Sequence, residues 1–207
     1  LLAAQHGRRR AVSLVEIASY AAFAVLLATS LALLISQNWR WSIIALAVQY
    51  LAVFWLVLLS WPTGLAVVKL VTGWMAGALI GASQPAEELQ DTAFNNTQGM
   101  VFRLAASLIG LILVFTAAPL IADWIPAAQP LLLGGLVLIA NGLLQLGMTT
   151  RPLRVILGLL TVLSGFEILY AAVEQSVLVA GLSSVITLGL ALVGAYLMAA
   201  PEMDAEE

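Results

Sequence analysis

Residues 152–173 read Pro-Leu-Arg-Val-Ile-Leu-Gly-Leu-Leu-Thr-Val-Leu-Ser-Gly-Phe-Glu-Ile-Leu-Tyr-Ala-Ala-Val, an apolar run with Arg154 near its start and one further charge, Glu167, well inside. A bilayer core of about 30 Å is crossed by roughly 20 apolar residues at 1.5 Å each, so this run is long enough to span. In lipid a spanning segment must satisfy its own backbone, and an isolated run does so only as a helix. Six further runs of this kind lie outside it, at about 11–36, 42–60, 63–83, 100–123, 130–149 and 176–199. The second and third share one apolar stretch broken only at Pro62. The stretch of about 26 residues after Arg8, Arg9 and Arg10 is longer than a signal-peptide apolar region and reads as a first span. The expected fold is an all-α, polytopic bundle of about seven transmembrane helices.

Composition agrees. Of 207 residues 62% are hydrophobic and 9% charged, with a mean hydropathy of +1.05. A soluble domain is about 25% charged, so this chain lacks the polar surface such a domain needs. With no cysteine, disulfides, thiolate zinc sites and Cys-held iron–sulfur clusters are excluded. His6 is the single histidine and lies outside every apolar run, which removes bis-histidine haem ligation and any histidine–carboxylate metal cluster in the membrane. No Gly-rich phosphate loop and no intramembrane Ser–His pair occurs. The chain alone is therefore expected to be non-catalytic, without cofactor or metal. Its net charge of −3 comes mostly from tails and one loop. No basic cluster suits nucleic acid; the expected surroundings are the lipid bilayer.

The polar segment 84–99 divides the chain into a three-helix part, 1–83, and a four-helix part, 100–207. Pro85 followed by Glu87, Glu88 and Asp91 suits either a solvated linker or the first turn of a short interfacial helix. Trp39, Trp41, Trp61 and Trp124 fall at expected span ends, where an aromatic belt belongs. For orientation, Arg8–Arg10 favour an inside N-terminus, whereas Arg40, Arg103, Arg151 and Arg154 favour the opposite.

Charges inside spans cost about 2.5–3.5 kcal/mol each on insertion scales and tend to mark function. Glu16 is close enough to a span end to snorkel or pair with Arg10. Lys69, in Val-Val-Lys-Leu-Val, and Glu167 are deeper. Ser164, Tyr170 and Glu174, at −3, +3 and +7 from Glu167, share its helix face, while Gly158 and Gly165 lie on another that permits close packing. Glu167 thus reads either as a proton acceptor and donor, with Ser164, Tyr170 and Glu174 along its path, or as a neutral interhelical lock. Gly73, Gly77 and Gly81 recur every four residues and form a ridge for helix contact, with Lys69 at its end facing protein. Lys69 suits proton exchange or static pairing, with Glu167 or with a partner subunit. Asn141 with Gln145, Ser183 with Thr187, and Gln49 read as hydrogen-bonding links between helices or as the lining of a hydrated path with Glu167.

The segment 131–199 resembles subunit K of proton-pumping NADH-quinone oxidoreductase (complex I). The likeness rests on a three-helix layout, the basic turn Thr149-Thr150-Arg151-Pro152-Leu153-Arg154, the Gly165-Phe166-Glu167 motif and the final Leu188-Gly189-Leu190-Ala191-Leu192. Over its full length the chain resembles the seven-helix membrane component of hydrogenase-4 and formate hydrogenlyase complexes, with Lys69 similar to a lysine of that family's third helix. The subunit-K glutamate on the last helix has no counterpart, since no acid lies between Glu174 and Pro201. The resemblance implies a membrane-arm subunit of a proton-translocating redox complex in the cell (inner) membrane. It also implies antiporter-like and other membrane-arm subunits as partners, Glu167 and Lys69 in a proton path, and Arg151 and Arg154 in a cytoplasmic turn. A structural or assembly subunit, and a stand-alone small ion transporter, are the alternative expectations.

Overall fold

A computed structural model describes residues 2–36, 38–84, 97–125 and 127–203. The described residues form seven helices and no strand: α1 (Leu2–Ile35), α2 (Trp39–Leu58), α3 (Thr63–Ala82), α4 (Thr97–Ala122), α5 (Gln129–Gly147), α6 (Pro152–Val173) and α7 (Val177–Met203). All seven contain a stretch long and apolar enough to cross a membrane. The chain is therefore an all-α, multi-pass membrane protein in its architecture. Asn38 starts α2 by accepting from the Arg40 backbone N–H. Proline lies in the first turn of α5 and α6, where its missing N–H costs nothing. Pro62 lies just before α3, so the apolar stretch shared by α2 and α3 does break there.

Two boundaries differ from expectation. The helix of α1 begins at Leu2 rather than near residue 11, although its membrane-compatible part runs Leu14–Ile35. At the other end α7 continues to Met203, through Pro201. The acidic run Glu87, Glu88 and Asp91 lies outside the described residues.

The helices form two rows. In one, α1, α2 and α3 lie side by side; in the other, α5, α6 and α7 do. Across the rows α1 packs on α5, α2 on α6 and α3 on α7, while α4 flanks α5 and α1 from outside. Cross-links between helix ends define two ends of the bundle. At one, Arg103 near the start of α4 donates to the Leu34 carbonyl and Arg154 near the start of α6 to that of Ser36, both at the end of α1. Arg40 and Arg151 begin α2 and α6 at this same end, called here the basic end. At the opposite end the Trp61 indole N–H donates to the Glu174 carbonyl at 2.9 Å, and Gln175 donates to the Ser60 carbonyl. The helices therefore alternate in direction along the chain.

Lipid tails are as apolar as leucine, so these contacts are held by close packing and hydrogen bonds rather than by exclusion from water. Small residues make that packing possible. The ridge of α3 faces α2: a Cβ on Gly73 would overlap the Tyr50 ring, one on Gly81 would come to 3.2 Å from Ile43, and one on Gly77 only to 3.9 Å from Leu46. Gly158 and Gly165 of α6 meet Gly142 and Gly135 of α5 across backbone, with a Cβ on Gly165 falling 2.6 Å from the Gly135 carbonyl. Gly158 and Gly165 thus lie against α5, which supplies the matching glycines.

Of the four tryptophans expected in a belt, Trp41 and Trp124 are exposed and Trp39 is half-buried, but Trp61 is buried. Its bond to Glu174 closes the α2–α3 turn over the end of α6 instead of facing the membrane surface.

Candidate functional site

Lys69 is six residues from the start of α3 and Glu167 six residues from the end of α6, and both of those helix ends lie at the end opposite the basic one. At 1.5 Å per residue, each side chain is about 9 Å from that end. Equal depth lets them meet. The Lys69 ammonium donates to the Glu167 carboxylate Oε1, and the two side chains are only 2% and 3% exposed. A buried ion is tolerable only when paired, and each of these residues supplies the other's counter-charge. The pair also joins α3 to α6, two helices that share α2 and α7 as neighbours instead of packing on one another.

Polar groups continue from the pair toward mid-membrane. The Tyr50 hydroxyl of α2 has Ser164 of α6 and Thr187 of α7 beside it, and Glu167 within electrostatic reach. Ser164 donates to the Leu160 carbonyl and Thr161 to that of Leu157, which leaves each hydroxyl oxygen able to accept. Gln49 of α2 donates to Thr161 at 3.4 Å. Glu167, Ser164 and Thr161 thus mark a polar row of about 9 Å along α6, faced by Tyr50 and Gln49.

Both ends of this row are apolar. Toward the basic end lie Leu33, Leu46, Ile80, Leu157 and Leu160, in one buried cluster. Toward the other lie Val53, Leu56, Val57, Ala66, Ile168 and Ala171, in a second. The pair is enclosed within the bundle.

Of Lys69, Ser164, Tyr170 and Glu174, only Lys69 and Ser164 lie with Glu167. Tyr170 is half-buried and stacks on Phe166, with ring centroids 6.1 Å apart. Glu174 is exposed beyond the end of α6, where its backbone carbonyl, not its carboxylate, is engaged by Trp61. The offsets +3 and +7 do share a helix face, but α6 ends and its surroundings change from protein to surface within that distance. Glu16 is exposed on α1, away from the pair.

The other intramembrane polar residues divide into two groups. Gln49 and Thr187 belong to the row just described. Asn141 and Gln145 do not: Asn141 donates to Ser30 of α1 and accepts from Ser107 of α4, each at 2.8 Å, and Gln145 donates to the Arg154 carbonyl. They link α1, α4, α5 and α6 nearer the basic end. Ser183 is buried on α7 and its carbonyl accepts from Thr187.

Sequence reasoning missed Tyr50 and Thr161. Tyr50 adjoins Gln49 in an otherwise apolar helix, and that adjacency was the available signal. Thr161 had a weaker one, its place one turn before Ser164 on the face of Glu167. Among the described residues no group of three metal-ligating side chains occurs. Compared with models of known protein families, with curated proteins and with solved structures, the chain finds no match.

Proposed function

We propose that this chain is a non-catalytic membrane-arm subunit of a complex-I-like or membrane-bound-hydrogenase-like redox assembly. Its part there is to contribute Lys69 and Glu167 to proton translocation driven by electron transfer in other subunits. The observation that carries the reading is the buried Lys69–Glu167 pair, set inside the membrane with Ser164, Tyr50 and Thr187 beside it. Ionisable residues inside spans are costly, pair with one another and mark ion pathways and proton relays, in which carboxylates are common carriers. In this reading the basic end, with Arg151 and Arg154, faces the cytoplasm, the membrane is the cell (inner) membrane, and antiporter-like subunits are the neighbours. Because apolar clusters close both ends of the polar row, proton entry and exit require either a neighbouring subunit or a movement of α3 against α6.

The test is Glu167→Gln in the assembled complex. Proton pumping falls while assembly and electron transfer persist; full pumping in that variant overturns the proposal.

One observation favours a second reading. The pair is enclosed and joins two helices that do not otherwise pack, which is also what an interhelical lock does. A lock predicts that Glu167→Gln lowers the thermal stability of the complex while the ratio of protons moved to electrons transferred stays unchanged.

A further inference from the structure

Between α4 and α5 a groove of about 920 Å³ opens on the outer side of the bundle. Its walls include Phe102, Gly110 and Val114 of α4 with Leu136, Ala140 and Leu144 of α5. Along α4 it runs from Gly99 to Ala117, about 27 Å of helix rise, more than the roughly 15 Å apolar depth of one leaflet. It is therefore long enough for an acyl chain. Small residues at Gly110, Ala117 and Ala140 leave it open, and α4 is the least buried of the seven spans.

The groove has one charged residue in its wall, at its basic end. Arg103 is held there by donating to the Leu34 carbonyl at 3.2 Å. A guanidinium has five N–H donors in a fixed fork, so a carbonyl on one of them leaves others for a phosphate. Arg154 is held in the same way by Ser36 and lines a crevice with Arg103. Arg40 and Arg151 stand at the same end. An apolar channel ending in positioned arginines at headgroup depth has the charge and shape of an anionic phospholipid.

We propose that the α4–α5 groove seats one anionic phospholipid from the leaflet at the basic end, with an acyl chain between the helices and the phosphate on Arg103. The site is independent of the proposed role of Lys69 and Glu167. It would fasten α4, the helix with least protein around it, to the rest of the bundle.

The experiment is native mass spectrometry of the full chain in mild detergent, titrated with phosphatidylglycerol or phosphatidylcholine of identical acyl chains. The chain is expected to retain one phosphatidylglycerol at least fivefold more tightly than phosphatidylcholine, the effect of about one arginine near a headgroup. Arg103→Gln removes that preference, Arg103→Lys keeps it, and Ala140→Phe, which fills the groove and leaves the charge, lowers retention of both lipids. Equal retention of the two lipids, or an unchanged preference in Arg103→Gln, overturns the proposal. Displacement of the lipid by millimolar inorganic phosphate also overturns it, since that would make the site one for free anion. In membranes, a photo-crosslinking side chain at Leu113 is expected to give a lipid adduct. A polypeptide adduct would mean that a partner helix occupies the groove instead.

Discussion

Lys69 of α3 and Glu167 of α6 form a buried ion pair at one depth in the bundle, about 9 Å from the end opposite the arginines. Their meeting depends on antiparallel register. The start of α3 and the end of α6 lie at the same bundle end, and each residue is six positions from it. Removing one partner leaves the other charged and unpaired in a low-dielectric interior, which costs about 3–5 kcal/mol. Lys69→Met and Glu167→Met are each expected to be destabilised on that scale, and the double variant to recover most of the loss. Thermal unfolding of the purified chain in detergent measures this; losses that simply add in the double variant would show that the pair is not coupled.

The glycines of α3 should not be equivalent. A Cβ at Gly73 overlaps the Tyr50 ring, so Gly73→Ala forces α2 and α3 apart or turns Tyr50 from Ser164 and Thr187. The expected cost is about 1–3 kcal/mol, as for overpacking elsewhere. Gly77→Ala meets only ordinary contact with Leu46 and gains helix propensity, so it should be neutral or slightly stabilising. A common loss at both positions would contradict this ordering.

On α6 the obstacle at Gly165 is backbone. Gly165→Ala places its methyl 2.6 Å from the Gly135 carbonyl and 2.9 Å from the Ile139 nitrogen, and neither can rotate away. It is expected to separate α5 from α6 and to destabilise more than Gly73→Ala. Gly64→Ala, with nothing within 4 Å, is the control that should leave the melting temperature unchanged.

Asn141 tests whether the second polar network is separate from the first. Asn141→Leu removes the bonds to Ser30 and Ser107, and at about 0.6 kcal/mol for an average interhelical bond the loss should be near 1 kcal/mol. If the proposed coupling through Glu167 operates, this variant should pump normally once assembled. A pumping defect as large as that of Glu167→Gln would place Asn141 in the same path.

Among the described residues the buried Oε1 of Gln49 has no hydrogen-bond partner, and its amide makes a long bond to Thr161 at 3.4 Å. Replacing such a group with an apolar side chain of similar size is expected to be nearly neutral, because a weak bond and an unpaired acceptor leave together. Gln49→Met should therefore unfold within about 0.5 kcal/mol of the parent chain. A loss of about 2 kcal/mol or more, the scale of stranding a buried polar group, would mean that Oε1 is engaged in the working protein.

The residues themselves made much of the architecture legible. Seven runs of sufficient length, interrupted at Pro62, Pro152 and the polar turns, determine seven helices, because lipid leaves the backbone no other means of satisfying its hydrogen bonds. The depth of Lys69 and Glu167 could likewise be counted along each helix. Glycine spacing identified α3 and α6 as packing helices, yet only the assembled bundle assigns α2 to one and α5 to the other. The face expected to unite Ser164, Glu167, Tyr170 and Glu174 shows the limit of such counting. Helical periodicity gives a direction around one axis, but not what stands opposite it at each level.

The linear sequence determined the class, the span count and which charges are too deep to reach water easily, all properties of one helix and its solvent. The tertiary structure decided that Lys69 faces Glu167, that Tyr50 joins them and Tyr170 does not, and that Asn141 serves another network. Those outcomes depend on the relative rotation and register of several helices at once. Because apolar side chains are equally at home against lipid or protein, hydropathy carries no record of them.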